Sequence, residues 1–337
     1  MKILFDRHIP ASLAPGGAQI QVDRTLSGLV ASGVGVEHVR WWDEKQPGDL
    51  VHFFGTCNND YLSVARAARK PVIVTTLFTE TCNRTPARLT RQGWLVRGLL
   101  ALPFGGGLKQ QLAWQTFHHC AHNIVGLEAE RTVLKRVYRV PDEKISVVSL
   151  GLSDTFLNAG AGSRAENHLI TTGTITQRKN SVALAELAHA AQVPILFVGK
   201  PYHTADAYWL QFKKLIDDRW VKFQPHVETE TEMATLLQAA RGFVFMSAFE
   251  NWCLSAHEAA ACGLPLLVQD QNWSRERLGA QANYFPGFGV NAANIAALKK
   301  FFDAAPQLAA PKLKLSSWRD VAGELKQVYE KVLATAR

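Results

Sequence analysis

Residues 241–270 read RGFVFMSAFENWCLSAHEAAACGLPLLVQD. Phe243 to Met246 is an apolar run with the length of a buried strand. A polar turn holding Glu250 follows, then the alanine-rich stretch Ser255 to Cys262, whose composition favours a helix. Gly263 and Pro265 end that helix, since Gly accepts a left-handed cap and Pro has no N–H to continue it, and Leu266 to Val268 begin another strand. Glu250 precedes the helix and Glu258 lies on its first turns, so two carboxylates stand beside a helix N-terminus in a strand–helix–strand unit. In α/β proteins such points hold anionic ligands, because unpaired N–H groups and the helix dipole favour negative charge there.

The same alternation runs outward in both directions. Strands are expected at Lys2–Asp6, Val36–Trp41, Asp49–Phe54, Val72–Thr76, Asn123–Gly126 and Ile145–Leu150. Helices are expected over Gln19–Ser32, around Tyr61–Ala68 and over Glu128–Tyr138. Thr81–Gln115 breaks the rhythm and reads as an insertion of one or two helices, and the glycine-rich stretch Gly151–Asn167 reads as a linker. Beyond it, strands at His168–Thr172, Ile195–Val198 and Val221–Phe223 and helices over Val182–Ala191 and Glu230–Ala240 repeat the scheme. Val321, Leu325, Val328, Tyr329 and Val332 trace one face of a terminal helix. Strands separated by helices predict parallel sheets with right-handed crossovers, and 337 residues suffice for two such α/β domains.

Glu250, seven residues, Glu258, then a small-residue helix ending in Gly263-Leu264-Pro265 resembles the donor-site signature of retaining GT-B glycosyltransferases, glycosyltransferase family 4 in particular. The resemblance extends to Pro15-Gly16-Gly17-Ala18, similar to the family's Gly-Gly loop after the first strand. It extends also to Ile145–Phe156, similar to the passage between domains, where Leu150 stands in place of the usual Asn. What it implies is a GT-B α/β fold: two Rossmann-like parallel-sheet domains facing across a cleft. Residues 1–155 would form the acceptor domain, 166–317 the nucleotide-sugar donor domain, and the 318–337 helix would cross back to the first.

The resemblance also implies roles. Thr171–Asn180, TTGTITQRKN, resembles the loop that opens the donor half, where the family sets an Arg after the Gly and a Lys five positions beyond it on the donor pyrophosphate. Here Gly173 and Lys179 match, Thr174 occupies the Arg position, and Arg178 is the adjacent cation. Glu258 would accept from ribose hydroxyls and Glu250 would face the transferred sugar, with backbone amides near Cys253, Leu254 and Ser255 on phosphate or sugar; Gly16 and Gly17 would line the donor as well. Asn251-Trp252-Cys253 replaces the Gly-Phe-Gly common between the two glutamates, so Trp252 either reshapes the sugar pocket or anchors the core. On the acceptor side stand His52, near the cleft or else a satisfied core imidazole, and Arg84; the His that many members carry after the fourth strand is absent. No Asp-x-Asp motif occurs, which fits transfer without a metal or other cofactor. The implied activity is retaining transfer from a nucleotide-diphosphate sugar to a glycan, lipid-linked or small-molecule acceptor. A GT-B nucleotide-sugar epimerase and a weak or inactive nucleotide-binding protein remain open alternatives.

Composition narrows the setting. Hydrophobic content of 47% with 20% charged residues marks a globular protein, no apolar run approaches a membrane span, and the N-terminus is too brief for a signal peptide, which predicts a cytoplasmic address. The five cysteines have no paired spacing and read as small buried residues. The net charge is +8, and no acidic residue lies between Glu80 and Glu128, whereas Arg84, Arg88, Arg91, Arg97 and Lys109 do. Interleaved Leu89, Trp94, Leu95, Val96, Leu99, Leu100, Leu102 and Phe104 make 84–109 a candidate contact for an anionic membrane surface, the alternative being a core helix with a solvated basic face. No nucleic-acid motif accompanies the charge, so a nucleic-acid partner is not expected.

Overall fold

The structure, a computed structural model, describes residues 1–8, 17–76, 78, 80–103 and 114–336. The chain divides into two compact units, residues 1–151 with 318–337, and residues 152–317.

In the first unit β1 (Lys2–Arg7), β2 (Gly35–His38), β3 (Leu50–Phe54), β4 (Val72–Thr75), β5 (His122–Val125) and β6 (Ile145–Val147) form a parallel sheet in the order β2-β1-β3-β4-β5-β6. Its described helices are α1 (Gly17–Ala31), α2 (Asn59–Ala67), α3 (Pro86–Ala101), α4 (Thr116–His119) and α5 (Glu128–Arg136), joined by a helix from the far end of the chain. Because side chains alternate along a strand, Ile3 and Phe5 face one layer with Val22 and Leu29, and Leu4 faces the other with Val51, Phe53 and Leu62. The near-continuous apolar strands follow from burial on both faces.

In the second unit come α6 (Asp154–Leu157), β7 (Leu169–Thr172), α7 (Ser181–Ala191), β8 (Ile195–Gly199), α8 (Ala207–Lys213), β9 (Val221–Pro225) and α9 (Glu230–Ala239). They are followed by β10 (Gly242–Phe245), α10 (Leu254–Ala261), β11 (Leu266–Gln269), α11 (Asn272–Leu278), β12 (Asn283–Phe285) and α12 (Ala292–Ala304). The sheet order is β12-β11-β10-β7-β8-β9, all parallel. The chain therefore winds one way from β7 to β9 and the other way from β10 to β12, so the loops after β7 and β10 diverge at a switch point.

The terminal helix α13 (Trp318–Ala336) lies in the first unit and packs on α1. The approach is close: a Cβ on Gly28 would sit 2.7 Å from the Trp318 carbonyl oxygen. Val321, Leu325, Val328, Tyr329 and Val332 are all buried, as their periodicity predicts.

Several expectations change. The second strand ends at His38, and Trp41 lies in a turn. The 145–150 strand stops at Val147, and β12 has no counterpart in the sequence reading because its three residues give too short a pattern. Residues 152–167 are not a free linker. Arg164 donates to the carbonyls of Ala305 (3.1 Å), Leu308 (2.8 Å) and Gly263, and Gln238 donates to that of Ala159 at 2.7 Å. Glycine content signalled flexibility; Gly162 instead allows contact, since a Cβ there would meet Gln238 at 2.3 Å.

His52 on β3 is buried, with Nδ1 2.7 Å from the Tyr329 hydroxyl on α13 and Nε2 2.6 Å from Thr75 Oγ1 on β4. Burial lowers its pKa to about 3, so the ring is neutral and serves the core. Tyr329→Phe leaves one ring nitrogen without a partner in a dry site, and we expect a loss of about 1–2 kcal/mol in urea-unfolding free energy with far-UV circular dichroism unchanged.

Candidate functional site

At the switch point of the second unit, the loop after β7 and the loop after β10 are stitched together. Ala248 N–H donates to the Arg178 carbonyl at 2.9 Å, and Asn180 Nδ2 to that of Met246 at 2.9 Å. Gly173 opens the first loop with φ +139°, a conformation that L side chains rarely adopt. A Cβ there would also lie 2.9 Å from Lys179 Nζ, and a Cβ on Gly199 would strike the Gly173 carbonyl oxygen.

Glu250 is the centre of the junction. Its Oε1 lies 2.6 Å from Arg178 Nη1 and 3.5 Å from Lys179 Nζ, and it accepts from Ser247 Oγ at 2.9 Å. Burial alone would raise the carboxyl pKa, but Lys179 and Arg178 together with the serine hydroxyl outweigh it and hold the group below the usual range. Glu250 is thus an anion whose one oxygen is committed to the fold. Its Oε2 takes no hydrogen bond among the described residues and is the atom left for a ligand. Lys179 Nζ also sits 4.8 Å from the centre of the Phe245 ring, which fixes the ammonium over the end of β10.

The helix α10 begins just beyond. Cys253 caps it in the left-handed region at φ 58°, and its carbonyl accepts from Ala256 N–H (3.1 Å) and His257 Nδ1 (3.0 Å). The first-turn N–H groups of Leu254 and Ser255 have no acceptor among the described residues, the condition for an anion site. The Glu258 carboxyl, one turn on, belongs to a half-buried residue and has neither hydrogen bond nor ion pair among the described residues. Burial, with repulsion from Glu230 and against the pull of Lys179, raises its pKa to about 7. A half-protonated carboxyl without a partner fits a site whose hydroxyl-bearing ligand supplies the missing hydrogen bonds.

The structure therefore brings together Gly173, Thr174, Arg178, Lys179, Glu250, Cys253, Leu254, Ser255 and Glu258 around these two loops and the start of α10. Arg178 is not a free cation: it donates to Glu250 and, at 2.6 Å, to the Phe249 carbonyl. Trp252 is buried between His257, stacked at 4.3 Å, and the Arg277 guanidinium at 4.1 Å, so it is a core anchor. The Cys253 thiol, pushed up to about 12 by burial, is no nucleophile. Ser247 and Phe245, which position Glu250 and Lys179, were not singled out in the sequence, where a Ser or Phe at a strand end carries no distinctive pattern. His52 and Arg84 belong to the other unit; Arg84 is exposed and donates to Gln92 at 2.7 Å. Gly16 lies outside the described residues, and Gly17 begins α1.

Residues 166–314 match the family of glycosyl transferases group 1. The O-antigen chain mannosyltransferase B of Escherichia coli is 21% identical over 208 residues, 57% of this chain; the chain spans about half (51%) the length of that curated relative. Sucrose-phosphate synthase from Thermosynechococcus elongatus superposes with a TM-score of 0.72 at 17% identity, covering 99% of this chain and 100% of that one. HepE of Anabaena, solved with UDP-glucose, superposes at 0.64 with 15% identity, covering 99% of each chain. The chain has the GT-B fold, and its second unit carries a glycosyl transferases group 1 domain.

Glu258 sets a pH test. Its folded-state pKa lies above that of an unfolded glutamate, so the native protein holds a proton that the unfolded chain has lost between pH ~4.5 and ~7, and stability contributed by the protonated form disappears as pH rises through about 7. Glu258→Gln, which keeps the neutral form at every pH, is expected to raise Tm of the ligand-free protein at pH 8 and to leave it unchanged at pH 4.5. Thermal unfolding at the two pH values checks this, and equal shifts at both would contradict it.

Proposed function

We propose that the chain is a retaining, metal-independent glycosyltransferase that moves a sugar from a nucleoside-diphosphate sugar to a glycan, lipid-linked or small-molecule acceptor. The observation that carries this is the pairing of Lys179 with Glu250 at the switch point, beside the unpaired N–H groups of α10 and the unpartnered Glu258. A nucleoside diphosphate has the complementary groups. Its phosphates suit the ammonium and the helix N-terminus, and its ribose hydroxyls suit Glu258. HepE, whose structure holds UDP-glucose, and the mannosyltransferase relative support a nucleotide-sugar donor.

In this reading the C1–O bond to the diphosphate lengthens while Lys179 and the α10 amides absorb the charge growing on the leaving oxygen. The acceptor hydroxyl attacks C1 from the same face, and its proton passes to the departing phosphate, so configuration is retained. Glu250 Oε2 takes a hydroxyl of the transferred sugar or stabilises positive charge near C1. Arg178, held by Glu250, adds the second cation that Thr174 does not supply. Protein cations then take the place of a divalent ion, and no cofactor is needed.

The acceptor is proposed to meet the enzyme at the inner face of a membrane. On α3, Trp94, Leu95 and Leu99 are 68%, 69% and 45% exposed, and Arg88 and Arg91 project into solvent along the same side. Arg97 departs from this face: it is half-buried and stacks 5.1 Å from the Trp94 ring. Lys109 lies outside the described residues. No helix among the described residues is long and apolar enough to cross a membrane.

Two outcomes follow. With an α-linked donor, proton NMR is expected to show an α-linked product, formed at the same rate in excess EDTA, and Lys179→Ala is expected to lower kcat about 100-fold or more. An inverted product, or loss of activity on chelation, would contradict the mechanism. Arg88→Glu with Arg91→Glu is expected to abolish co-sedimentation with vesicles containing phosphatidylglycerol without altering Tm; equal sedimentation would remove the membrane proposal.

A further inference from the structure

Trp41 and Trp42 are 75% and 83% exposed, more than any other large apolar side chain among the described residues. They are adjacent, on the turn that follows β2 at the C-terminal edge of the first unit's sheet. Neither makes a hydrogen bond or a ring or cation contact among the described residues.

The turn beneath them is braced from every side. Asp43 N–H donates to the Arg40 carbonyl at 3.0 Å, closing the turn around the two indoles, and Gln46 N–H donates to Asp43 at 3.1 Å. The Gln46 side chain, buried below, accepts from Arg40 N–H at 2.8 Å and donates to the His38 carbonyl at 2.8 Å. Arg40 bridges Glu37 (2.8 Å) and Asp43 (2.8 Å). Gly48 packs against Leu4, where a Cβ would come within 2.5 Å. Two indoles held in water by such a frame cannot fold back onto the core, and keeping them exposed has a free-energy cost that a partner relieves.

Charge decides between partners. Around the turn four acids, Glu37, Asp43, Glu44 and Asp49, are matched by four bases, Arg40, Lys45, Lys2, whose Nζ lies 2.6 Å from Glu37 Oε1, and Lys70, which donates to the Gln46 carbonyl at 3.2 Å. The Arg40 guanidinium is already taken by Glu37 and Asp43. Nothing here offers surplus positive charge to an anionic headgroup or phosphate. Flat indole faces on a charge-balanced turn fit a neutral pyranose: its C–H face lies on an aromatic ring, and its hydroxyls can donate to the exposed carboxylate of neighbouring Glu44. The place fits too, since ligands of parallel sheets bind beyond the carboxyl ends of the strands.

We propose that Trp41 and Trp42 form a carbohydrate-stacking subsite on the first unit that holds the acceptor glycan. The acceptor role rests on the glycosyltransferase reading; the binding of sugar does not. In the full-length protein, indole 15N–1H resonances, assigned through Trp41→Phe and Trp42→Phe, are followed while mannotetraose or maltotetraose is added to millimolar concentration. The expected result is that both resonances move with at least one tetrasaccharide, and that Trp41→Ala and Trp42→Ala weaken its binding about fivefold or more. Nucleoside-diphosphate affinity and Tm should stay as in the parent. Resonances unmoved by both sugars, alanine variants that bind equally well, or shifts produced only by phosphatidylglycerol vesicles would overturn the subsite. A protein that binds tetrasaccharide through these residues but turns over no donor keeps the subsite and loses the transferase reading; active transfer with unmoved resonances does the reverse.

Discussion

The contact of Glu250 Oε1 with Arg178, Lys179 and Ser247 is the constraint on which the site depends. It ties the loop leaving β7 to the loop leaving β10 at the one place where the sheet's winding reverses. A carboxylate and an ammonium out of bulk water are unfavourable singly; together, with a guanidinium and a hydroxyl, they satisfy one another. The result is an ammonium held in place largely out of bulk water, which in the proposed function meets a diphosphate without the protein first reorganising.

That economy explains the division of labour between the two glutamates. Glu250 is fully engaged on one oxygen and ionised, so it holds geometry as much as it offers a ligand contact. Glu258 is the reverse, unpartnered and with its pKa raised to about 7. In the proposed function the hydroxyls of a nucleotide supply the hydrogen bonds this carboxyl lacks, so part of the binding free energy would reside there. Local instability at a functional position is compensated by well-packed surroundings: Trp252, His257 and Cys253 are all buried.

Much of this was legible in residue order. Helix and strand periods gave both parallel sheets, and the face of Val321, Leu325 and Tyr329 gave the terminal helix, because period and burial are the same physical fact. Glu250 and Glu258 stood out beside a helix start, and their roles, like that of Lys179, came from the resemblance to the GT-B donor-site signature. What escaped was of another kind. Sequence spacing put Arg178 next to Lys179 but could not tell that its guanidinium turns onto Glu250, which depends on the path of a loop 72 residues away. The buried fate of His52 depends on Tyr329, 277 residues distant. Gly162 reads as flexible and is instead a tight contact, for glycine marks freedom and close approach with the same letter.

The central claim is that one nucleoside diphosphate lies across Lys179, the start of α10 and Glu258. A crystal structure with the tightest-binding of the uridine, guanosine, adenosine and thymidine diphosphates tests it most directly. The account predicts phosphate oxygens within hydrogen-bond distance of Lys179 Nζ and of the Leu254 and Ser255 amides, with ribose hydroxyls on Glu258. A nucleotide bound elsewhere, or phosphates turned away from Lys179 with Glu258 still unpartnered, would contradict it.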